Sequence, residues 1–390
     1  MIALAACRGN REQGASASPP SGSAGTDRVA PADAAARVDA DVARAALRPP
    51  PAGKPRLTIT LESKTKFSAF GLRFATDGRL IAAADVIAEQ PRTIAVRVWR
   101  IDGGKAIEEA VLPPPDPEVR VYADGIALDG NTLAVASNVA IYLFRRDAGT
   151  WTLADRVDLT GALACGDVFP EDLALENNIL VLADQSRHLC IYEQRDGSWR
   201  RTAELDGERP FGGYAPFVFD GESLVVIRPD TENCDIYRRA VGGGGWRKVS
   251  TIDPPADRES AFAQGVIVEG SLALVGMSTN AHIFDISASP PQRLGIVEAQ
   301  QYREVPSFGR HMALRRPILA VYNRDHTDLF VERNGMFHPS GSLFAVRDAA
   351  RISGLDRIAI SDLIWIGETD GNTGRGPLIG GGRLYGYRWD

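Results

Sequence analysis

The chain repeats itself, and the repeat constrains the fold more than any other feature. Its clearest copy runs from Asp124 to Leu159. Ile126 to Leu128 is a short apolar run. Asp129-Gly130-Asn131 is a turn, because Asp and Gly accept the positive φ angles that tight hairpins need. Leu133 to Val135 is a second apolar run, and Ser137 to Val139 is a loop. Ile141 to Phe144 is a third strand, rich in branched and aromatic residues. Asp147-Ala148-Gly149 is a second turn. Trp151 to Leu159 then alternates apolar and polar residues, as a half-exposed strand does. The unit therefore reads as four consecutive antiparallel strands.

Weaker copies fill most of the remaining chain. The first turn recurs at Asp77-Gly78, Asn177-Asn178, Gly221, Gly270, Pro317 and Asp362. The equivalents of Leu128 are Leu175, Phe219, Val268, Leu314 and Ile360, which gives spacings of 47, 44, 49, 46 and 46 residues. Four-stranded propeller blades repeat at about this interval. The third strand recurs as Val96 to Trp99, Cys190 to Tyr192, Asp235 to Tyr237, His282 to Phe284, Asp328 to Phe330 and Leu384 to Tyr387. Trp199 and Trp246 head further fourth strands, each behind a Gly-containing turn. Seven units result, the seventh ending after its third strand. Arg56 to Leu61 precedes the first unit as Trp199 to Leu205 precedes the fourth, and supplies the missing strand. The expected fold is all-β: a seven-bladed β-propeller of four-stranded antiparallel blades over residues 56–390, closed by an N-terminal strand that completes the last blade and removes exposed sheet edges.

Three units open on Phe-Gly: Phe70-Gly71, Phe211-Gly212 and Phe308-Gly309. The whole unit is Phe-Gly, an apolar run, Asp-Gly-x-x-Leu-x-Val, then Tyr-x-Phe and Gly-x-Trp. It resembles the FG-GAP-like repeats of integrin-α-type β-propellers, especially those on bacterial surface proteins. Many members of that family carry a calcium loop of the Asp-x-Asp-x-Asp-Gly kind. The nearest stretch here, Asp370-Gly371-Asn372-Thr373, lacks the alternate carboxylates that Ca²⁺ needs, so the resemblance does not extend to calcium. No metal or other cofactor is expected.

Residues 1–7 end in Leu4-Ala5-Ala6-Cys7, which looks like a bacterial lipobox with Cys7 as the lipidation site. A signal peptide has a basic start and an apolar core of about 7–15 residues, and residues 1–7 read as a remnant of one. Residues 8–55 are rich in Ala, Ser, Pro and Gly, a composition that buries no core and behaves as a disordered tether. Within it, Pro31 to Leu47 is Ala-rich enough for a loose helix. Anchor, tether and folded domain together give a cell-envelope lipoprotein, held in the bacterial envelope at the outer membrane or at a periplasmic or extracellular face.

Other features narrow the function by exclusion. Net charge is −6 and no basic stripe carries interleaved aromatics, which argues against a nucleic-acid partner. No apolar stretch reaches the ~18 residues of a membrane-spanning helix. Beyond Cys7, the cysteines Cys165, Cys190 and Cys234 read as buried thiols acting as small hydrophobes. The alternative for an exported domain is a Cys165–Cys190 bridge. Cys190 and Cys234 differ by one position in the repeat, which puts them on opposite strand faces and argues against joining them.

No Gly-x-Ser-x-Gly elbow, His-Glu-x-x-His helix or Walker loop occurs, and Gly374 to Gly382 lies between strands as a long loop. His188 and His282 fall at third strands and read as structural. His311 follows Phe308-Gly309-Arg310 and is expected at the central channel. His326 is expected in a polar loop, Asn323 to Asp328.

Propeller geometry ranks the two faces. Loops joining strands two and three, and strand four to the next blade, share one face. Here they are long: Ala84 to Arg92, Ile252 to Ser260, Val297 to Ser307, Asn323 to Thr327 and Glu368 to Arg383. Long loops on a rigid scaffold carry binding. Arg324, His326, Tyr302 and Arg375, with His311 at the channel, are the candidate contact residues. The expected function is non-catalytic binding of a protein or glycan partner in the envelope. The alternatives are a hydrolase or lyase on an envelope polymer, with its site at the channel mouth, and a scaffold subunit of an envelope assembly.

Overall fold

A computed structural model describes residues 53–65, 70–89, 92–117, 119, 121–159, 173–183, 188–206, 217–228, 230–240, 245–256, 262–299, 308–323, 326–344, 355–368 and 382–389. These form seven four-stranded antiparallel sheets and no helix. Blade 1 comprises Phe74–Thr76, Leu80–Glu89, Arg92–Asp102 and Lys105–Leu112. Blade 2 comprises Tyr122–Asp129, Thr132–Ser137, Ala140–Asp147 and Thr150–Asp158. Blades 3 to 6 follow the same order, with third strands His188–Arg195, Asn233–Arg239, Asn280–Asp285 and His326–Arg333. Blade 7 contains Leu355–Ile360, Ile364–Glu368 and Arg383–Arg388, and Arg56–Glu62 pairs with the last of these as its fourth strand. The expected closure is therefore present.

The apolar core lies between the blades rather than at one centre. One boundary joins Leu80, Val96 and Val98 of blade 1 to Ile126, Leu133 and Tyr142 of blade 2. Another joins Leu274 and Ile283 of blade 5 to Leu319 and Phe330 of blade 6. Each sheet thus buries both faces against its neighbours, which is why its second strands, such as Leu80-Ile81-Ala82-Ala83, are apolar without alternation. Fully burying one such Leu or Val contributes about 1.5–3 kcal/mol.

One irregularity recurs in every blade. The pairing of third and fourth strands slips by a residue, leaving Glu109, Ala154, Thr202, Val249, Leu294, Ser340 and Thr58 as the extra residues of the outer strands. Beside each slip the third strand carries a buried aromatic: Trp99, Phe144, Tyr192, Tyr237, Phe284, Phe330 or Tyr387. A bulge sharpens the local twist and lets the outer strand wrap around that ring.

Two of the Phe-Gly pairs have a packing reason, and Phe211-Gly212 lies outside the described residues. Gly71 and Gly309 have φ of +91° and +78°. Each lies against a glycine of the preceding blade: a Cβ on Gly367 would overlap the Gly71 carbonyl, and one on Gly276 the Gly309 carbonyl. Phe70 and Phe308 then pack edge-on against Trp99 and Phe330 of their own blades, at 5.7 and 6.4 Å. Two more units use the device in other letters. Tyr122-Ala123 and Phe262-Ala263 have alanines at φ +64° and +58°, and their rings approach Tyr142 and Phe284 at 6.1 and 6.3 Å.

Two expected loops are strands instead. The stretch from Ala84 to Arg92 continues the hairpin of blade 1, with Asp85 across from Ala95 and Val86 across from Ile94. In blade 6, Asn323 pairs with His326, so only two residues separate strands two and three. In blade 1 branched and apolar side chains on both arms extend the ladder; in blade 6 polar residues do so, because Asn323, His326 and Asp328 satisfy one another.

Candidate functional site

Of the candidate contact residues, Tyr302, Arg324 and Arg375 lie outside the described residues, as do Cys7 and the expected tether. His311 is half-buried at the start of blade 6, its ring 5.9 Å from that of Tyr322. His326 is not in a loop: it begins the third strand of blade 6 and is 1% exposed. Its ring faces inward, with Asn323 and Asp328 each at 3.2 Å from Nε2. His282 is also buried, stacked on Phe284 and edge-on to Phe262.

A repeated arrangement underlies the long-loop face. Counting back from each slip, the same third-strand position holds Arg97, Tyr142, Cys190, Asp235, His282, Asp328 and Tyr385, all buried. A polar residue at this position in a buried strand needs partners. Blades 1, 4 and 6 supply them with charged or amide groups from strand two and with donors or acceptors from strand four.

In blade 1, Arg97 pairs with Asp85 at 3.1 Å and with Glu108, and lies 4.8 Å from the Trp99 ring centre. Ser63 donates to Asp85. Blade 4 reverses the signs. Asp235 accepts from Arg228 at 2.9 Å, from Thr251 at 3.0 Å and from Lys248. Burial alone pushes the Asp235 carboxyl up, but the bonds from Lys248, Arg228 and Thr251 outweigh it and hold it below the ordinary range. In blade 6, Asp328 accepts from Asn323 at 3.0 Å and from Ser342 at 2.8 Å, with His326 Nε2 at 3.2 Å. Burial again pushes this carboxyl up, and His326, Ser342 and Asn323 together bring it below the ordinary range.

The chemistry of these clusters is supportive. In blade 6 the carboxylate stands between hydroxyl and imidazole, so His326 does not abut the Ser342 oxygen as a base must abut a nucleophile. Among the described residues no group of three or more His, Cys, Asp and Glu is placed to hold a metal ion. The clusters tie strands two, three and four together near one end of the blade, and so fix the points at which the connections on this face leave the sheet.

Cys190 corrects the cysteine expectation. It is disulfide-bonded, with its partner outside the described residues, so the three thiols are not all free. Strand periodicity fixes a residue's face but says nothing about which loop crosses over it. Cys234 is free and buried, one position back in the repeat as expected, and burial, then the charge of Asp235, pushes its thiol up.

The opposite face carries the tight turns, and blades clasp one another there. Asp129 accepts the Asn177 amide at 2.9 Å, Asp220 the Gly270 amide at 2.9 Å and Glu269 the Arg316 amide at 2.8 Å. Glu176 belongs to the same inner ring. Desolvation of its carboxyl, then the charges of Asp129 and Asp220, push it up to about 7.

Comparison by sequence finds no match among protein-family models and none among curated proteins. Solved structures share the architecture. A protein from Lactobacillus plantarum superposes with TM-score 0.53 at 16% identity, over 70% of this chain and 85% of its own. A chain of the mitotic checkpoint complex gives 0.57 at 12% identity, over 87% and 97%. The WD40 β-propeller domain of Doa1 gives 0.54 at 11% identity, over 87% and 98%. At these identities the likeness is one of fold: this chain is a seven-bladed all-β propeller.

Proposed function

We propose that the protein is a non-catalytic binding propeller of the bacterial cell envelope, anchored through lipid on Cys7 and engaging a protein partner with its long-loop face. The carrying observation is the set of buried polar clusters under that face, Arg97–Asp85, Arg228–Asp235 and Asn323–His326–Asp328, which hold the loop bases rigid without assembling a reactive group. Rigid bases lower the ordering cost of binding through loops. A chain of the mitotic checkpoint complex, itself an assembly of proteins, is among the fold neighbours and supports a protein rather than a glycan as partner. The Leu4-Ala5-Ala6-Cys7 box and the Ala, Ser, Pro and Gly composition of residues 8–55 support the anchored layout and the division into signal remnant, tether and propeller. A disulfide at Cys190 supports an oxidising compartment. The opening aromatic–small pairs support the FG-GAP-like reading of the repeat.

The test is crosslinking of the full-length protein in living cells followed by mass spectrometry, with Cys7→Ser and a shortened Glu368–Arg383 loop as variants. One dominant protein partner, lost on loop shortening, is expected. Lipid labelling of the native protein but not of Cys7→Ser is expected alongside. Absence of any specific partner overturns the binding reading; equal labelling of both forms overturns the anchor.

A further inference from the structure

The tight-turn face holds a group of arginines that the clasps between blades do not use. In blade 3, strand pairing sets Glu193 directly across from Arg200, and Arg195 follows Glu193 by two residues on the same side. From blade 4, Arg239 at the end of the third strand reaches over the boundary. Its guanidinium meets Glu193 Oε2 at 2.6 Å, and Arg195 meets the same oxygen at 2.8 Å. Glu193 is 3% exposed, whereas the Arg195 and Arg239 side chains are 47% and 43% exposed. Arg200 is exposed and makes no ion pair among the described residues. Two guanidiniums thus share one carboxylate and Arg200 stands across the strand pair from it, three positive charges against the one negative charge of Glu193 on a chain whose net charge is −6.

Glu193 works from beneath as a brace. It fixes two guanidiniums while occupying only some of the five N–H donors that each carries. Arginines held this way are ready for a planar oxyanion, since less side-chain freedom remains to be lost on binding. Trp246 stands across from Arg239 in the same boundary, half-buried with its ring 5.8 Å from Phe219, and adds an apolar flank.

The surroundings limit what fits. Asp196 caps the blade 3 hairpin, and Glu222 and Glu176 stand on the same face nearer the channel. A long polyanion laid across the arginines would also run over these carboxylates and be repelled by them. A short acidic segment would not. From this we infer a second binding surface, separate from the long-loop face: the boundary of blades 3 and 4 receives an acidic peptide segment, one or two Asp or Glu side chains with an apolar neighbour. The carboxylates sit on Arg195, Arg200 and Arg239, and the apolar side chain rests on Trp246.

The decisive variant is Arg200→Glu, because Arg200 makes no ion pair among the described residues and the change leaves two positive charges facing two negative ones. Full-length protein is titrated by fluorescence anisotropy with a labelled Leu-Asp-Glu-Leu peptide, its Leu-Asn-Gln-Leu counterpart and, as competitor, inorganic phosphate. The acidic peptide is expected to bind and the neutral one not. Arg200→Glu is expected to weaken binding by about tenfold with the melting temperature unchanged. Arg195→Ala and Arg239→Ala should weaken it too, and raising salt from 50 to 500 mM should do the same to the native protein. No binding of the acidic peptide, equal binding of both peptides, unchanged affinity in Arg200→Glu, or complete displacement of the peptide by equimolar phosphate would each overturn the inference.

Discussion

Blades 4 and 6 bury the same residue at the same place and neutralise it in different ways. Asp235 faces two cations, Arg228 and Lys248. Asp328 faces an amide, a hydroxyl and an imidazole. Both carboxyls end below the ordinary range although burial pushes both up. Two cations do this in blade 4; in blade 6 an amide, a hydroxyl and an imidazole whose charge also contributes are enough to keep the buried aspartate ionised. The two solutions differ in what remains when the aspartate goes. Blade 4 is left with a mostly buried guanidinium that stays charged, and blade 6 with an amide, a hydroxyl and an imidazole that can give up its proton.

That difference sets the order of the expected effects. Asp235→Asn should be the most damaging, because Arg228 stays charged beneath it; a loss of about 3–4 kcal/mol in urea denaturation is expected. Asp328→Asn keeps shape and most hydrogen bonds, and about 1–2 kcal/mol is expected. Equal losses in the two blades would break the comparison. Lys248→Ala removes only the half-exposed partner of Asp235 and should cost no more than about 1 kcal/mol, because its 49% exposed side chain is screened by solvent.

The clasp ring behaves in the opposite sense to both aspartates. Asp235 and Asp328 have lowered folded values, so their stabilisation is present above the unfolded value and is lost as pH falls through the folded one. Glu176 has a raised folded value, about 7 against 4.5, so the fold loses stability as pH rises through that window. Glu176→Gln should accordingly raise the melting temperature at pH 8 and change little at pH 5. Solvent contact of this residue limits the gain to about 1 kcal/mol. A gain that is larger at pH 5 would contradict the sign.

The turn signals, the apolar second strands and the closing strand were legible because each rests on local chemistry repeated seven times. The opening pairs were half legible. Phe-Gly stood out, whereas Tyr122-Ala123 and Phe262-Ala263 hid because alanine is an unexpected residue at positive φ. The constant offset was visible in the sequence: each aromatic stands four residues before a strand residue, at Phe74, Ile126, Val266 and Met312. Ala123→Gly and Ala263→Gly should each relieve strain and be neutral to stabilising by about 1 kcal/mol, the smallest of these effects. His326 was misplaced for a different reason. Asn-Arg-Asp-His reads as polar loop, yet Asn323, His326 and Asp328 satisfy one another and can be buried together, a pairing that composition does not encode. The arginine group was invisible for the same reason, since Arg239 joins Arg195 on Glu193 only once two blades stand side by side.

The closing strand has a directional consequence. Arg56 pairs with Arg388 at the hairpin end of blade 7, and Thr58 lies against Gly104 in the neighbouring hairpin of blade 1. The N-terminal chain therefore joins the ring from the tight-turn side. A pull on the chain ahead of Arg56 would therefore be felt first by the clasped turns, with the ends of strands two and three on the far side of the ring.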